Sequence, residues 1–327
     1  MCTRIHRHGP VQVNGRRRPV KRKPTTITVP RIPHSLADFD RRGFRTDIPV
    51  ARALLEGHAR SFLDGFNIAA ADWRSVHEGL REVSSDERGF AYEGAAMYAA
   101  IRDAATMGRA QAVSLLSSGP GDGYVHLIRV GTGWPYALVS RPPVAPVGST
   151  PLLRWLGLDG GGFALAFFGG KARLRRFCSR TPTPAWAEKV AGCGRALWFI
   201  ESAGVPAVCA TIGAAPAAAR PHLWSGVGLA SCYAGGVEAD GFAELAAACG
   251  DYWPHLAQGS IFGVAARVRS GVVPRYTSVG SRAVLDRDPA TVANWSEQAL
   301  AGIESRGDLA AYGEWKSRLR HIAGAHR

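Results

Sequence analysis

The sequence predicts a mainly α protein behind a basic N-terminal tail. Apolar residues recur at helical spacing along most of the chain, and the alternation of apolar and polar residues that is typical of strands is rare. The length of 327 residues is enough to bury a large core, either in one large domain or in two ordinary ones. Residues 1–30 are predicted to be a disordered tail, and the helices are predicted to lie in residues 31–327.

The tail is defined by its charge. Residues 1–35 contain nine arginines and lysines and no Asp or Glu, within a chain whose net charge is +14. They show no apolar periodicity, and no apolar core of a signal peptide follows them, so a solvated extension is expected. Such a tail could attract nucleic acid or anionic lipid. Nucleic-acid binding would depend on the tail alone, which disfavours it as the function of the whole protein.

The chain carries no sign of a membrane span or of a disulfide framework. Charged residues interrupt every apolar run before it reaches the roughly 18 residues that a spanning helix requires. The six cysteines are scattered, without a C-x-x-C pair. This usage predicts reduced, mostly buried thiols in a cytoplasmic protein.

Local signals predict where several helices begin and end. Pro49 opens an apolar stripe at helical spacing and predicts a first helix, and Ser84 to Glu87 forms an S-x-x-E pattern that predicts a capping box for a second. Residues 124–139 are ambiguous between strand and helix. Residues 141–151, RPPVAPVGSTP, are the strongest linker prediction. Helical patterns continue to the end of the chain.

The segment LWSGVGLASCYAGG, residues 223–236, poses a choice between a phosphate-binding loop and a helix. A dinucleotide loop requires a preceding strand, and the Ala-rich sequence before it does not predict one. Pro221 at the first turn and Gly235 as a stop favour a helix. Its interior glycines, like Gly259 and Gly263 further on, weaken a helix unless another backbone or a ligand approaches closely. We expect close helix packing, a pocket wall, or both.

Five polar residues on apolar segments could carry chemistry. Glu93 lies on an apolar stripe, where desolvation would raise its pKa. It is either a general base or a cation-stabilising carboxylate in a cavity, or half of a structural ion pair. Arg195 is its natural partner, or an anchor for an acidic substrate. His126, Asp159 and Gln258 are each either ligand contacts or ordinary hydrogen-bonded residues. The sequence contains no recognisable nucleophile motif, H-E-x-x-H or Walker loop.

A metal site has little support in the sequence. Asp286 and Asp288 form a tight acidic pair, and Mg²⁺ held there could bind a diphosphate, but no aspartate-rich D-D-x-x-D motif accompanies them. Their turn-like surroundings predict no dependence on Mg²⁺. The cofactor requirement is therefore left open.

Several motifs together resemble a bacterial family known as domain of unknown function 1702, which occurs near genes for natural products, including enediyne polyketides. The similarity spans roughly residues 30–320, which implies one domain rather than two, and it implies a role in specialised metabolism without assigning a reaction. The motifs are FDRRGF (39–44), GFAYEGAAM (89–97), VGTGW (130–134), PLLRWLGLDG (151–160), GCGRALWF (192–199), LWSGVGLASCYAGG (223–236) and LAQGSIF (256–262).

One segment departs from the family pattern. The family's D-G-Y-G-F-H-x-G-Y-F corresponds here to DGGGFALAFF, so that Gly161, Ala164 and Phe167 replace Tyr, His and Tyr. If this segment lines a pocket, the ligand is more hydrophobic than in other members. An aromatic wall suits a polyene or isoprenoid chain, because ring faces stabilise developing cations.

The sequence thus predicts an enzyme with an apolar cavity that cyclises or folds a polyene or isoprenoid. Its alternative is a binding or chaperone protein for a hydrophobic polyketide intermediate, and partner proteins of a biosynthetic pathway are possible in either case. The predicted polar contacts are Glu93, Arg195, Asp159 and His126. The predicted substrate-binding residues are Trp134, Phe163, Phe167, Phe168, Trp198, Trp224, Tyr233 and Gln258.

Overall fold

The fold is described from a computed structural model, which describes residues 29–137 and 151–327. Nearly all of the predicted tail and of the predicted linker therefore lies outside the described residues. Within them the protein consists of helices and connecting turns, with no strand, so the predicted mainly α class is confirmed. None of the described helices combines the length and apolar character needed to cross a membrane.

Fourteen α-helices, labelled α1 to α14 in chain order, make up most of the described chain, and five short 3-10 helices occur among them. The α-helices are Pro49–Ala71, Val76–Arg81, Arg88–Ala105, Ala112–Leu116, Val125–Gly131, Leu156–Cys178, Pro184–Ile200, Val205–Gly213, Arg220–Ala234, Ala239–Ala248, Trp253–Arg269, Arg275–Leu285, Pro289–Leu300 and Leu309–Ala325. The 3-10 helices are His34–Ala37, Gly119–Tyr124, Trp134–Ala137, Pro151–Trp155 and Gly250–Tyr252.

The structure confirms some of the predicted helix starts and stops and contradicts the predicted capping box. Helix α1 begins at Pro49, and α9 has a proline in its first turn and ends at Gly235, whose φ of 69° is the left-handed conformation that glycine adopts readily. The predicted capping box is wrong. The side chain of Glu87 does not cap α3 but contacts His58 of α1, because a buried imidazole offers the carboxylate a partner across the helix pair. The ambiguous segment after Gly123 forms α5, followed by a 3-10 helix.

Glycines allow neighbouring helices to touch backbone to backbone. A Cβ atom on Gly65 of α1 would overlap the carbonyl oxygen of Ala91 in α3, and a Cβ atom on Gly94 of α3 would overlap the carbonyl oxygen of Phe62 in α1. Glycine is required at such contacts because any side chain would push the two backbones apart. The close packing predicted for the glycine-rich segment is confirmed, since Gly228 and Gly259 make the same reciprocal contact between α9 and α11.

The glycine contacts link six successive helix pairs, namely α1–α3, α3–α5, α5–α6, α6–α7, α7–α9 and α9–α11. The glycines concerned are Gly65, Gly94, Gly131, Gly160, Gly162, Gly192, Gly194, Gly226, Gly228 and Gly259. The series then returns to its start, because the His58 side chain of α1 hydrogen-bonds the carbonyl oxygen of Ala234 at the end of α9, 2.9 Å away. Helices α1, α3, α6, α7 and α9 consequently surround a common interior, and α13 and α14 pack outside α11.

Candidate functional site

An aromatic cavity lies in the interior that these five helices surround. The free space between its side chains is about 40 Å³, room for a few water molecules, and most of the surrounding atoms are apolar. Phe168 is 39% exposed and marks the side on which the wall reaches solvent. The aromatic side chains of the lining are Phe62, Phe90, Trp134, Phe163, Phe167, Phe168, Phe199 and Tyr233, together with the imidazole of His58.

The rings pack against one another around Trp134. The indole stacks on Phe62 with ring centroids 4.1 Å apart, and it contacts Phe163 at 5.2 Å. Phe163 in turn stacks on Phe167 at 5.5 Å, one turn along α6. Such contacts fix the orientation of each ring, so the cavity presents several aromatic faces in defined positions.

Three charged residues lie at one end of the cavity. Trp134 Nε1 donates a hydrogen bond of 2.9 Å to Glu93 Oε1, and Arg195 Nη2 lies 3.7 Å from the same oxygen. On its other side, Arg195 Nε lies 2.6 Å from Asp159 Oδ1, although its N–H bond does not point along this contact. The guanidinium carbon also sits 4.8 Å from the ring centre of Phe163, a cation–π contact.

Both carboxyl groups of this cluster contact the same guanidinium. Burial raises the pKa of Glu93, and the nearby Arg195 and the Trp134 N–H only partly offset this effect. Burial likewise raises the pKa of Asp159, against the attraction of Arg195 and Lys316. Asp159 has the shorter contact with Arg195 and does not line the cavity, whereas Glu93 does. Of the two carboxyl groups of raised pKa, Glu93 is therefore the one that faces the aromatic rings.

His58 is a further polar group in the wall. Its Nδ1 lies 2.8 Å from Glu87 Oε1, its Nε2 lies 2.9 Å from the carbonyl oxygen of Ala234, and its ring stacks on Phe90 with centroids 4.2 Å apart. Both ring nitrogens thus face oxygen acceptors. Sequence reasoning missed His58, as it missed Phe62, Phe90 and Phe199 as lining residues, because the only signal was a place on an apolar helix face.

The structure brings together most of the residues predicted from the sequence. Asp159 lies behind Arg195, and His126 lines a second, smaller space. Three predicted residues lie away from the cavity: Trp198 donates to the Gly235 carbonyl oxygen at 2.7 Å, Gln258 accepts a 2.9 Å hydrogen bond from Ser225, and Trp224 is buried elsewhere in the core. The predicted residues that line the aromatic cavity are Glu93, Trp134, Phe163, Phe167, Phe168, Arg195 and Tyr233.

The second space holds about 30 Å³ and adjoins the first. Arg195, Leu229 and Tyr233 line both spaces and separate them. His126 lies on the far side, and its buried Nδ1 has no hydrogen-bond partner among the described residues. Burial lowers the pKa of His126 to about 4, which keeps the imidazole neutral at neutral pH.

The acidic pair near the start of α13 is engaged in local structure. The Asp288 side chain accepts hydrogen bonds from the backbone N–H groups of Ala290 and Thr291 and caps α13, and Asp286 contacts its neighbour Arg287. Among the described residues, no group of three or more His, Cys, Asp or Glu side chains is arranged to hold a metal ion.

The chain is similar to one protein family over nearly its whole length. The model of the family described as "Protein of unknown function (DUF1702)" matches residues 25–323, which is nearly the whole chain. The chain belongs to this family. No curated protein and no solved structure matches this DUF1702 protein.

Proposed function

We propose that this DUF1702 protein is an enzyme that binds an unsaturated hydrophobic molecule in the aromatic cavity and rearranges it after protonation by Glu93. The observation that carries the proposal is the placement of a carboxyl group of raised pKa against a wall of aromatic rings. A neutral carboxylic acid can donate a proton, and ring faces attract the positive charge that the transfer creates. The polyene or isoprenoid predicted from the sequence has the double bonds that this chemistry requires. A cytoplasmic role in specialised metabolism is part of the proposal.

The proposed reaction balances without an added reagent. The electron pair of a carbon–carbon double bond takes the Glu93 proton, which leaves a carboxylate and a carbocation. Arg195 and the Trp134 N–H stabilise the carboxylate, at contacts that already exist. A second double bond of the same molecule then attacks the cation in a cyclisation. Loss of a proton from a neighbouring carbon, back to the Glu93 carboxylate, forms the product and restores the acid.

The cavity must widen to admit such a molecule, since about 40 Å³ is far less than a polyene occupies. Helix α6 contains a position that could act as a hinge for this widening, next to the exposed Phe168. Gly170 has φ 63° and ψ −170°, so α6 is kinked there and its two halves are joined by a residue without helical geometry. Unwinding of the helical turn just before this kink would displace Phe167 and Phe168 together and open the solvent side of the cavity.

The test uses unsaturated terpenoids in deuterated water. Linear prenyl hydrocarbons, alcohols and diphosphates of increasing length are incubated with the protein, with and without Mg²⁺, and the extracts are analysed by mass spectrometry. An acid mechanism predicts a new isomer or cyclic product that carries solvent deuterium. Glu93→Gln is expected to lower its rate at least about a hundredfold, the range typical of a general acid.

The control variant is Glu56→Gln. Glu56 is also a buried carboxylate, but it accepts the backbone N–H of Phe39 and lies outside the cavity lining. It should retain turnover. If every substrate binds but is recovered unchanged, the result would contradict enzymatic activity and favour the binding or chaperone function. A product formed equally well by Glu93→Gln would exclude Glu93 as the acid.

A further inference from the structure

The boundary between the two internal spaces carries unsatisfied hydrogen-bond donors. The hydroxyl of Tyr233 and the Nη2 group of Arg195 are buried, and neither has a hydrogen-bond partner among the described residues. The two residues are only 3% and 6% exposed. Arg195 Nη2 has the Glu93 carboxyl 3.7 Å away, whereas the Tyr233 hydroxyl has no polar partner among the described residues. Buried polar groups in folded proteins are nearly always paired, so this free hydroxyl indicates that a ligand atom supplies the acceptor.

The packing of Tyr233 holds its ring while leaving its hydroxyl free. Arg267 lies 4.1 Å from the ring centre, and its guanidinium is fixed by the Tyr233 carbonyl oxygen at 2.8 Å and by the Tyr276 hydroxyl at 2.7 Å. Phe90 makes an edge-to-face contact with the Tyr233 ring. At the other end, Gly89 leaves space for the hydroxyl, since a Cβ atom there would overlap it.

The protonation states make both groups donors. Burial raises the pKa of Tyr233 to about 12, so the phenol keeps its proton at neutral pH. An arginine guanidinium is always protonated in proteins and accepts no hydrogen bond. A carbonyl oxygen, which has two lone pairs and no proton, is the natural partner of the free phenol hydroxyl.

We infer that the Tyr233 hydroxyl donates to the carbonyl oxygen of a hydrophobic unsaturated ketone or aldehyde whose chain extends into both internal spaces. This inference rests on the proposed function and narrows its substrate class from hydrocarbons to oxygenated chains. Because Tyr233 lines both spaces, its hydroxyl would lie between the two ends of the chain. The neutral imidazole of His126 then faces the part of the chain beyond the carbonyl group.

The experiment compares two probes of equal length, geranylacetone and the corresponding hydrocarbon without the ketone. Binding of each to the full-length protein is followed by quenching of tryptophan fluorescence, to which Trp134 in the cavity wall contributes. The wild type should bind the ketone more tightly. Tyr233→Phe, which removes only the oxygen, should lower the ratio of ketone to hydrocarbon affinity about tenfold, as expected for one buried hydrogen bond.

The matched control is Tyr98→Phe, since Tyr98 is equally buried and lies outside both spaces. It should keep the wild-type ratio. Equal affinity for the two probes in the wild type, an unchanged ratio in Tyr233→Phe, or failure to bind either probe would overturn the inference. Turnover of hydrocarbons that depends on Glu93, without any preference for the ketone, would overturn it and leave the proposed function intact.

Discussion

Arg195 is the residue on which the polar end of the cavity depends. Its guanidinium contacts Glu93, Asp159 and the face of Phe163 at the same time, and it is only 6% exposed. A buried cation of this kind contributes little net stability against an apolar replacement of the whole cluster, but its removal alone leaves buried carboxyl groups without a countercharge. Removal of Arg195 alone should therefore cost more stability than replacement of the whole cluster by apolar residues.

Arg195→Met is expected to lower the free energy of unfolding by about 3 kcal/mol at neutral pH, because it removes the cation and retains both acids. The loss should shrink at pH 5. Carboxyl groups whose folded pKa is raised favour the folded state at low pH and lose this contribution as pH rises through the folded value. Urea denaturation of the variant at the two pH values measures both effects. A loss under about 1 kcal/mol at neutral pH would show that the cluster is solvated.

Trp134 tests the assignment of Glu93 as the acid of the proposed reaction. Trp134→Phe keeps an aromatic ring in the wall but removes the N–H that donates to Glu93 at 2.9 Å. The pKa of Glu93 should rise further, because a donor to the ionised form is lost. In a cyclisation assay, the alkaline limb of the pH–rate profile should move to higher pH. A shift to lower pH would contradict the assignment.

At the scale of helices, the glycine contacts set the distance between neighbours. A methyl group at Gly65 would meet the backbone of α3, whereas a methyl group at Gly57, two turns earlier in α1, would meet nothing within 4 Å. The two positions therefore separate the effect of close approach from the ordinary weakness of glycine in a helix.

Gly65→Ala is expected to destabilise the protein by about 2 kcal/mol through overpacking of α1 on α3. Gly57→Ala should be neutral or stabilising by up to about 1 kcal/mol, since alanine is the better helix former. Thermal denaturation of both variants gives the comparison directly. Similar effects at the two positions would mean that the helices can separate at little cost.

The sequence predicted the helices better than it predicted which side chains share a cavity. Glu93 stood out because a carboxylate on an apolar stripe is costly unless it is paired. The sequence could not show which of Trp198 and Phe199 lines the cavity. Residues 190–200 of α7 are all buried, so this helix has no polar face that would indicate which side meets the cavity. In the structure Phe199 lines the cavity and Trp198 does not. The contact between His58 and Ala234 joins residues far apart in sequence, which no local pattern encodes.

At the scale of the whole molecule, the partly buried His222 and His255 are expected to contribute to the response to acid. Burial lowers the pKa of His222 to about 3, with added repulsion from Lys316, His255 and Arg320, and it lowers the pKa of His255 to about 4. Trp186 and His255 pack beside the imidazole of His222. These histidines stay neutral in the folded protein at pH values where the unfolded chain has protonated them.

Stability should therefore fall as pH drops below about 6.5, because the unfolded state binds protons that the folded state does not. Each such histidine contributes a slope of at most about 1.4 kcal/mol per pH unit until its folded pKa is reached. His222→Gln should reduce the slope between pH 6.5 and 4, measured by chemical denaturation. An equal slope in the variant would show that His222 is protonated in the folded protein.

The closed series of helices also has a consequence for the order of folding. Each glycine contact joins helices that are neighbours or near neighbours along the chain, so those pairs can form early with little loss of chain entropy. The hydrogen bond between His58 and Ala234 spans 176 residues and closes a much longer loop, so we expect it to form after those pairs. The cavity is accordingly expected to close late in folding, so that an incompletely folded chain would have helices without an enclosed interior.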